Sequence, residues 1–369
     1  MVEEQAYWLA WSQVAGAGPN RIIRLYQHFG SLKLAWEASF SGLCEVDGLG
    51  ELTSAAFQTA RSQIDPIALF EQHTQKNPHF WTPADADYPR LLLEIPDPPP
   101  ILYYRGEVDR QENQGLRSAI ALVGTRSPTS YGKRWTERLT EVLVKAGFTI
   151  VSGLAQGIDT IAHQTCLEFG GRTIGVMGTG VNRIYPSSNR DLARRILASG
   201  LVLSEYPADT PPNRTHFPSR NRIIAGLCRA TLVLEAGEKS GALITARVAN
   251  DYGRDVYALP GSLDYPESAG CLNLINRGAQ IILSENHLLD LLGQLPQMDE
   301  PAAQLSLLPP ELPPDLQHVF QAVPREASSL DWLVETTGMA TSNVLSALVQ
   351  LEIMGLVTQI PGMRYQRAC

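Results

Sequence analysis

This 369-residue chain has little that announces chemistry, and its absences narrow the field first. No apolar run approaches the roughly 20 residues that cross a bilayer. The start Met1-Val2-Glu3-Glu4 is acidic, unlike a secretory leader, so the expected address is the cytoplasm. Cysteine is scarce: Cys44, Cys166, Cys228, Cys271 and Cys369 are odd in number, far apart, and form no CxxC pair. That spacing argues against zinc and against a disulfide framework, and predicts reduced, mostly buried thiols. There is no GxxxxGK[ST], which removes a P-loop ATPase. Nor is there a GxGxxG with a downstream ribose-binding acid, so dinucleotide binding is unsupported. No paired carboxylates, Ser/His/Asp order or metal-ligand spacing emerges. The expectation is a binding site without chemistry: no catalytic residue, no metal, no cofactor.

What remains is an ordinary globular composition, with 44% hydrophobic and 18% charged residues. The length allows two or three domains and a sizeable core. A net charge of −8 looks wrong for a nucleic-acid binder, but it is unevenly spread. Residues 101–290 hold 21 Lys+Arg against 18 Asp+Glu, and the flanks hold 9 against 20. A basic footprint, if present, lies in the middle.

Residues 1–75 read as short helices, a helix-hairpin-helix or SAM-like domain. Ala15-Gly16-Ala17-Gly18-Pro19 and Val46-Asp47-Gly48-Leu49-Gly50 each precede a helical stretch. Gly amides in such hairpins can hold a DNA phosphate, although Asp47 and Glu51 oppose it, so a structural role is as well supported. Residues 76–117 read as a proline-rich connector, a stiff linker carrying Asp97-Pro98-Pro99-Pro100. From 118 to 292, short β-rich runs alternate with helical segments. The strand candidates are Ala119–Val123, Phe148–Val151, Thr173–Met177, Leu201–Ser204, Ala230–Leu234, Asp255–Leu259 and Gln280–Leu283. Between them lie amphipathic segments such as Tyr131–Ala146, Ile158–Phe169 and Leu192–Ala198. Near-continuous apolar strands with helical crossovers predict an α/β fold, a doubly wound, Rossmann-like parallel sheet covered on both faces. Residues 293–315 form a second linker. The last segment, 316–369, predicts a helix-turn-helix plus wing: Leu330, Leu333 and Val334 on one stripe, Val344, Leu345, Leu348, Leu351 and Met354 on another, a turn at Gly338, and a hairpin at Pro361-Gly362.

One stretch stands out within the sheet region: Phe217-Pro218-Ser219-Arg220-Asn221-Arg222, running into Ile223-Ile224-Ala225-Gly226. Pro218 suits a first helical turn, where Ser219 or Asn221 can satisfy free amides. Amides and two guanidinium groups at a helix N-terminus suit an anion; paired with nearby carboxylates instead, the same arginines would be structural. In such a sheet, ligands sit beyond the carboxyl ends of the strands. Candidate DNA-binding residues recur there. The first loop offers Gly124, Thr125 and Arg126, and the second Ser152, Gly153 and Gly157. The third is followed by Arg183 and Arg190. His216, Arg220, Asn221 and Arg222 come next, then Lys239, Ser240 and Gly241. Each loop alone is a tight strand-to-helix turn. Together they point to an extended polyanion, held on its backbone by cations with bases stacked or pocketed. His163, one turn after Asp159, reads as a packed histidine rather than a base.

These motifs resemble the DNA-processing protein A (DprA/Smf) family. The resemblance rests on Val123–Gly132, Ser152–Asp159, Phe217–Gly226, Ser240–Ala246, Gly253-Arg254 and Leu259-Pro260-Gly261, with Tyr88-Pro89 and Asp97-Pro98-Pro99 upstream. It spans about residues 80–285. It implies a non-catalytic cytoplasmic protein that binds and protects incoming single-stranded DNA, forms homodimers through the Rossmann-like domain, and helps load the RecA recombinase in natural transformation. Arg126 matches the family's DNA-contacting arginine. Many relatives carry a lysine after the Tyr-Pro pair where this chain has Ser187; Arg183 or Arg190 could stand in. The C-terminal unit departs from a duplex reader: residues 316–369 hold three basic against four acidic residues, and Thr341–Met354 has no Lys or Arg. A protein-contact or structural role is expected for it. Two alternatives stay open. One is a nucleotide or nucleoside hydrolase of the lysine-decarboxylase-like group, whose PGGxGTxxE is missing here, with Glu235-Ala236-Gly237-Glu238 roughly in its place. The other is a partner-recruiting adaptor.

Overall fold

The apolar runs of the sequence become strands of one nine-stranded sheet. The computed structural model describes residues 2–293, 314–324, 328–353, 357–360 and 364–367. The strands are β1 (Phe80–Trp81), β2 (Leu102–Gly106), β3 (Ala119–Val123), β4 (Thr149–Ser152), β5 (Thr173–Met177), β6 (Leu201–Ser204), β7 (Ala230–Val233), β8 (Asp255–Ala258) and β9 (Gln280–Ile281). Their order is β1-β2-β6-β5-β4-β3-β7-β8-β9. The pairings from β6 through β9 are parallel, while β1 and β2 run antiparallel at one edge. Chain order climbs in one direction from β3 to β6 and in the other from β7 to β9. The topological switch therefore falls between β3 and β7, and this is the Rossmann-like fold expected.

Alternation of side chains along β3 shows why both faces need helices. Ala119, Ala121 and Val123 pack with Ile223, Leu227 and Ala246 on one face. Ile120 and Leu122 pack with Leu139, Leu143 and Ile158 on the other. Small residues on the first face let helix His216–Leu227, which carries the arginine stretch, lie close to the sheet.

Two stretches differ from expectation. Residues 76–117 are not a surface linker, since they supply β1 and β2, with Tyr88 and Leu92 buried. The prolines end at Pro100, and the aromatic run Leu102-Tyr103-Tyr104 behind them is free to pair with β6. The N-terminal helices share a core with the sheet: Trp8, Leu25 and Phe57 belong to the same apolar cluster as Met177, Ile196 and Val202. Residues 1–300 accordingly form one compact unit. In the two hairpins Gly16 and Gly48 adopt φ of 83° and 74°. Arg21 donates to Gly16 O (2.7 Å) and Arg24 to Asp47 O (3.1 Å), so the nearest arginines serve the turns themselves.

The second unit, residues 301–369, is a winged helix. Helices Pro314–Ala322, Leu330–Thr337 and Thr341–Ile353 pack on a three-stranded antiparallel sheet ordered β10 (Ser328–Ser329), β12 (Arg364–Arg367), β11 (Val357–Ile360). Val319, Leu333, Val344, Leu348, Leu351 and Tyr365 form its core. Gly338 ends the middle helix in the left-handed region, at φ 65°. Leu345, expected on the buried stripe, is exposed together with Val349 one turn on, giving the third helix an apolar outer face. The 294–313 part of the second linker, Met354, Pro361-Gly362 and Cys369 lie outside the described residues. Among the described residues, Cys166, Cys228 and Cys271 are buried free thiols, and no helix is long and apolar enough to cross a membrane.

Candidate functional site

A cleft of about 1160 Å³ opens at the carboxyl ends of β3, β4 and β7, beside the switch point. Loops at the strand ends and one helix build it. The loop after β3 contributes Gly124, Thr125 and Arg126; the loop after β7 contributes Lys239, Ser240 and Gly241; helix His216–Leu227 contributes Phe217, Arg220 and Asn221. Thr125 N donates to Glu235 O (2.7 Å), which ties the β3 and β7 loops together across the switch. Asn221 Nδ2 donates to Gly241 O (3.4 Å), tying the helix to the β7 loop.

The mouth is cationic and aromatic. Arg126 is exposed, and its guanidinium carbon lies 5.9 Å from the centre of the Phe217 ring. Tyr185, from the loop after β5, is 5.5 Å from Phe217, ring centre to ring centre. Arg214 and Lys239 add two exposed cations to the lining, against one exposed acid, Glu238. A guanidinium on a ring face is held with little loss of its donors, so Arg126 presents a prepared anion contact.

The floor holds two buried groups of opposite charge, each bonded to backbone. Arg220 is 4% exposed and Asp159 is 7% exposed. Arg220 Nη1 donates to Gly153 O (2.7 Å) and also to Val176 O. The Asp159 carboxylate accepts from Gly153 N (3.1 Å) and Ala155 N (3.4 Å), which holds Leu154 between them at φ 56°. Burial lowers the Arg220 pKa to about 10, opposed by Asp159, so the guanidinium stays charged at neutral pH. Burial also raises the Asp159 pKa, with Arg220 opposing. For both groups desolvation outweighs their mutual attraction, so each charge is costly to bury and depends on its backbone partners and on the other's charge.

The structure sorts the expected contact residues into three groups. Gly124, Thr125, Arg126, Arg220, Asn221, Lys239, Ser240 and Gly241 line the cleft. Five others stand behind it. Ser152 is fully buried and donates to Leu122 O (2.6 Å). Gly153 is needed for packing, since a Cβ there would lie 2.6 Å from Arg220 Nη1 and 2.7 Å from Asp159 Oδ2. Gly157, at φ 82°, lets the β3 loop pass, where a Cβ would meet Thr125 O at 2.3 Å. His216 stacks on Tyr206 at 3.8 Å, and its Nδ1–H donates to Gly178 O (3.2 Å). Arg222 points away from the cleft and pairs with Glu205 (2.7 Å) and Asp97 (3.2 Å). The space beside Gly153 is thus filled by Arg220 and Asp159, while Gly241 stays open. Arg183 and Arg190 are exposed but outside the cleft lining. Pro218 sits in the first helical turn as expected, whereas Ser219 donates to Thr215 O (3.2 Å) rather than capping free amides.

Arg214, Tyr185 and Phe217 are among the cleft residues not expected as contacts. Arg214 follows Pro211-Pro212-Asn213 in the loop after β6, a strand end like the others, and that position was the available signal.

The titratable groups near the floor are engaged. Glu235 accepts from Thr129 N (2.8 Å) and Thr129 Oγ1 (2.6 Å), holding the residue that caps helix Ser130–Lys145. Thr173 Oγ1 donates to Ile150 O (2.7 Å), so its 2.7 Å contact with His163 must use an Nδ1–H donor on a neutral ring. Burial, reinforced by Arg220, lowers the His163 pKa to about 3. The unfolded chain binds that proton near pH 6.5, so this contribution is complete above pH 6.5 and is lost as pH falls toward 3. The urea midpoint should therefore drop more between pH 7 and pH 5 in wild type than in His163→Gln. Equal drops would remove His163 from the acid sensitivity.

Comparison with known proteins agrees with this geometry. Residues 79–293 match the DNA recombination-mediator protein A family and residues 300–363 match the DprA winged helix domain. Protein Smf of Synechocystis sp. is 50% identical over 393 aligned residues, covering 99% of each chain. The crystal structure of DNA processing protein A from Streptococcus pneumoniae is 36% identical with a TM-score of 0.68, covering 79% of this chain and 98% of that one. DNA processing protein A from Helicobacter pylori, in a structure described for its single-stranded DNA binding mode, is 33% identical with a TM-score of 0.53, covering 59% of this chain and 97% of that one.

Proposed function

The chain belongs to the DprA/Smf family of DNA-processing proteins, and we propose that it binds single-stranded DNA in the switch-point cleft without acting on it covalently. The observation that carries this reading is the mouth: Arg126 poised over Phe217, Tyr185 beside it, and Arg214 and Lys239 around them. Cations take phosphates while ring faces take bases, and only a single strand exposes both. A duplex keeps its bases stacked inside, so the aromatic pair has nothing to receive from it.

A non-catalytic role is supported by the state of the acids and histidine nearest the floor. Asp159, Glu235 and His163 all hold backbone or side-chain partners of the fold itself. No group of His, Cys, Asp and Glu among the described residues could hold a metal ion. The hydrolase alternative needs a free acid in the Glu235–Glu238 segment; Glu235 is held by Thr129, which leaves the exposed Glu238 as the acid it would have to use. Family membership supports the remaining parts of the proposal: pairing of two copies through the Rossmann-like domain, and delivery of the strand to a RecA recombinase during transformation, in the cytoplasm.

The test is anisotropy of labelled oligo-dT against its duplex with oligo-dA, with hydrolysis of nucleoside monophosphates followed in parallel. Strand-selective binding with no hydrolysis is expected; turnover of the nucleotide would replace this reading by the hydrolase. The winged helix is proposed to contact protein, since its exposed residues Trp332, Leu345 and Val349 are apolar. Deleting residues 301–369 should leave the oligo-dT affinity within about twofold of the full chain, as expected for surfaces with no shared partner. A loss of tenfold or more would make that unit part of the DNA site.

A further inference from the structure

Cationic surface continues beyond the cleft. The loops after β5 and β6, which bring Tyr185 and Arg214 to the mouth, are fastened into a ridge. Gly180 N donates to Thr210 O (3.0 Å) and Asn182 N to Ala208 O (2.8 Å). Arg183 Nε donates to Asp209 O (3.3 Å). Ala208 N in turn donates to Asn77 Oδ1 (2.7 Å), which anchors the ridge to the end of the N-terminal helices.

On the other flank of this ridge, beside strand β2, lies a smaller cavity of about 270 Å³. Lys76, His79, Tyr104, Arg105 and Asn182 line it. Lys76, His79 and Arg105 are exposed. None of the three forms an ion pair among the described residues. Arg105 Nη1 donates to Asn182 Oδ1 (3.0 Å), which points the guanidinium at the ridge. Asp209, the acid of the ridge, accepts from Asn182 Nδ2 (3.4 Å). Behind the cations is a ladder of rings. Trp81 stacks on Tyr104 at 3.9 Å, and Tyr104 lies 5.5 Å from the outermost ring, His79.

Cations in front of a ring ladder reproduce the chemistry of the cleft mouth. The two places are also close. Asn182 lines one and Tyr185 the other, three residues apart, a separation of at most about 10 Å. We propose that this cavity is a second station for the same single strand. Lys76 and Arg105 take one backbone phosphate, an unstacked base lies on the His79 ring, and exposed Arg183 on the ridge follows the backbone between the two stations. The segment joining the N-terminal helices to the sheet is then part of the DNA site. The proposal rests on the cleft reading, and predicts that affinity keeps rising with strand length after the cleft is filled.

The experiment is an anisotropy series with labelled dT oligomers from about 4 to about 20 nucleotides, using wild type, Lys76→Ala/Arg105→Ala and Arg126→Ala in the full chain. The double variant should match wild type on the shortest oligomer that binds. It should fall about tenfold behind on the longest, and its salt slope there should be lower by about 0.7 for the one phosphate lost. His79→Ala should weaken only the long oligomers, with the salt slope unchanged. All three positions are exposed, so melting temperatures should not move. A double variant that follows wild type at every length, while Arg126→Ala loses binding, overturns this station and leaves the cleft intact. If Arg126→Ala also binds like wild type, the cleft reading itself falls.

Discussion

Arg220→Ala is expected to cost the protein its fold rather than only its affinity. Arg220 sits in the arginine stretch that looks most like a phosphate site, yet its guanidinium is 4% exposed and bonded to carbonyls of Gly153 and Val176. Removing it leaves the Asp159 carboxylate buried without a nearby countercharge, takes a donor from two carbonyls, and opens a hole under the cleft. Leaving a buried charge uncompensated in this way costs roughly 3–5 kcal/mol. Against a total stability of about 5–15 kcal/mol, that is a large fraction. A thermal melt should show a drop on the order of 10 °C, or the variant should fail to accumulate as folded protein. A variant that melts with wild type but no longer binds oligo-dT would make Arg220 a ligand contact and the floor dispensable.

Arg126→Ala should do the reverse. Arg126 is exposed, and its guanidinium lies over the face of Phe217. Its truncation should leave the melting temperature within a degree or two, as for other surface positions away from a named stabilising feature. The affinity for oligo-dT should fall about tenfold or more, through loss of a charge-assisted phosphate contact. Phe217→Ala should weaken binding by a comparable factor without changing the salt slope, because base–aromatic stacking is worth about 1–3 kcal/mol and involves no phosphate. Together the two substitutions separate the electrostatic part of the site from the stacking part. Equal salt slopes for wild type and Arg126→Ala would show that the arginine meets no phosphate.

The contrast between these two arginines also shows how far the sequence could be read. The sheet was legible because its strands are apolar runs separated by helical segments, and the expected strands fall within a residue or two of those observed. The position of the cleft followed from the sheet, since loops at strand carboxyl ends converge at the switch point. Which arginine faces the ligand was legible in part. Arg220 was expected among the DNA contacts, yet it shares a helical face with Ile223, Ile224 and Leu227, all buried, and that spacing was the available sign that it turns inward. Arg222 could not be resolved in this way, because its acids, Asp97 and Glu205, come from distant segments. Tyr185 and Phe217 are 32 positions apart and meet only when the β5 loop and the helix after β6 fold over the same edge. The segment 76–117 was misread because its prolines dominate the composition, although they stop short of the strand they precede.

The switch-point cleft is proposed to hold a single strand through Arg126. Fluorescence-anisotropy titration of labelled oligo-dT and of its duplex, with wild type and Arg126→Ala at one moderate salt concentration, decides this. Wild type should bind the single strand tightly and the duplex weakly, and the variant should lose about tenfold or more with an unchanged melt. Single-strand binding that survives the substitution undiminished, or a duplex bound as tightly as the strand, would contradict it.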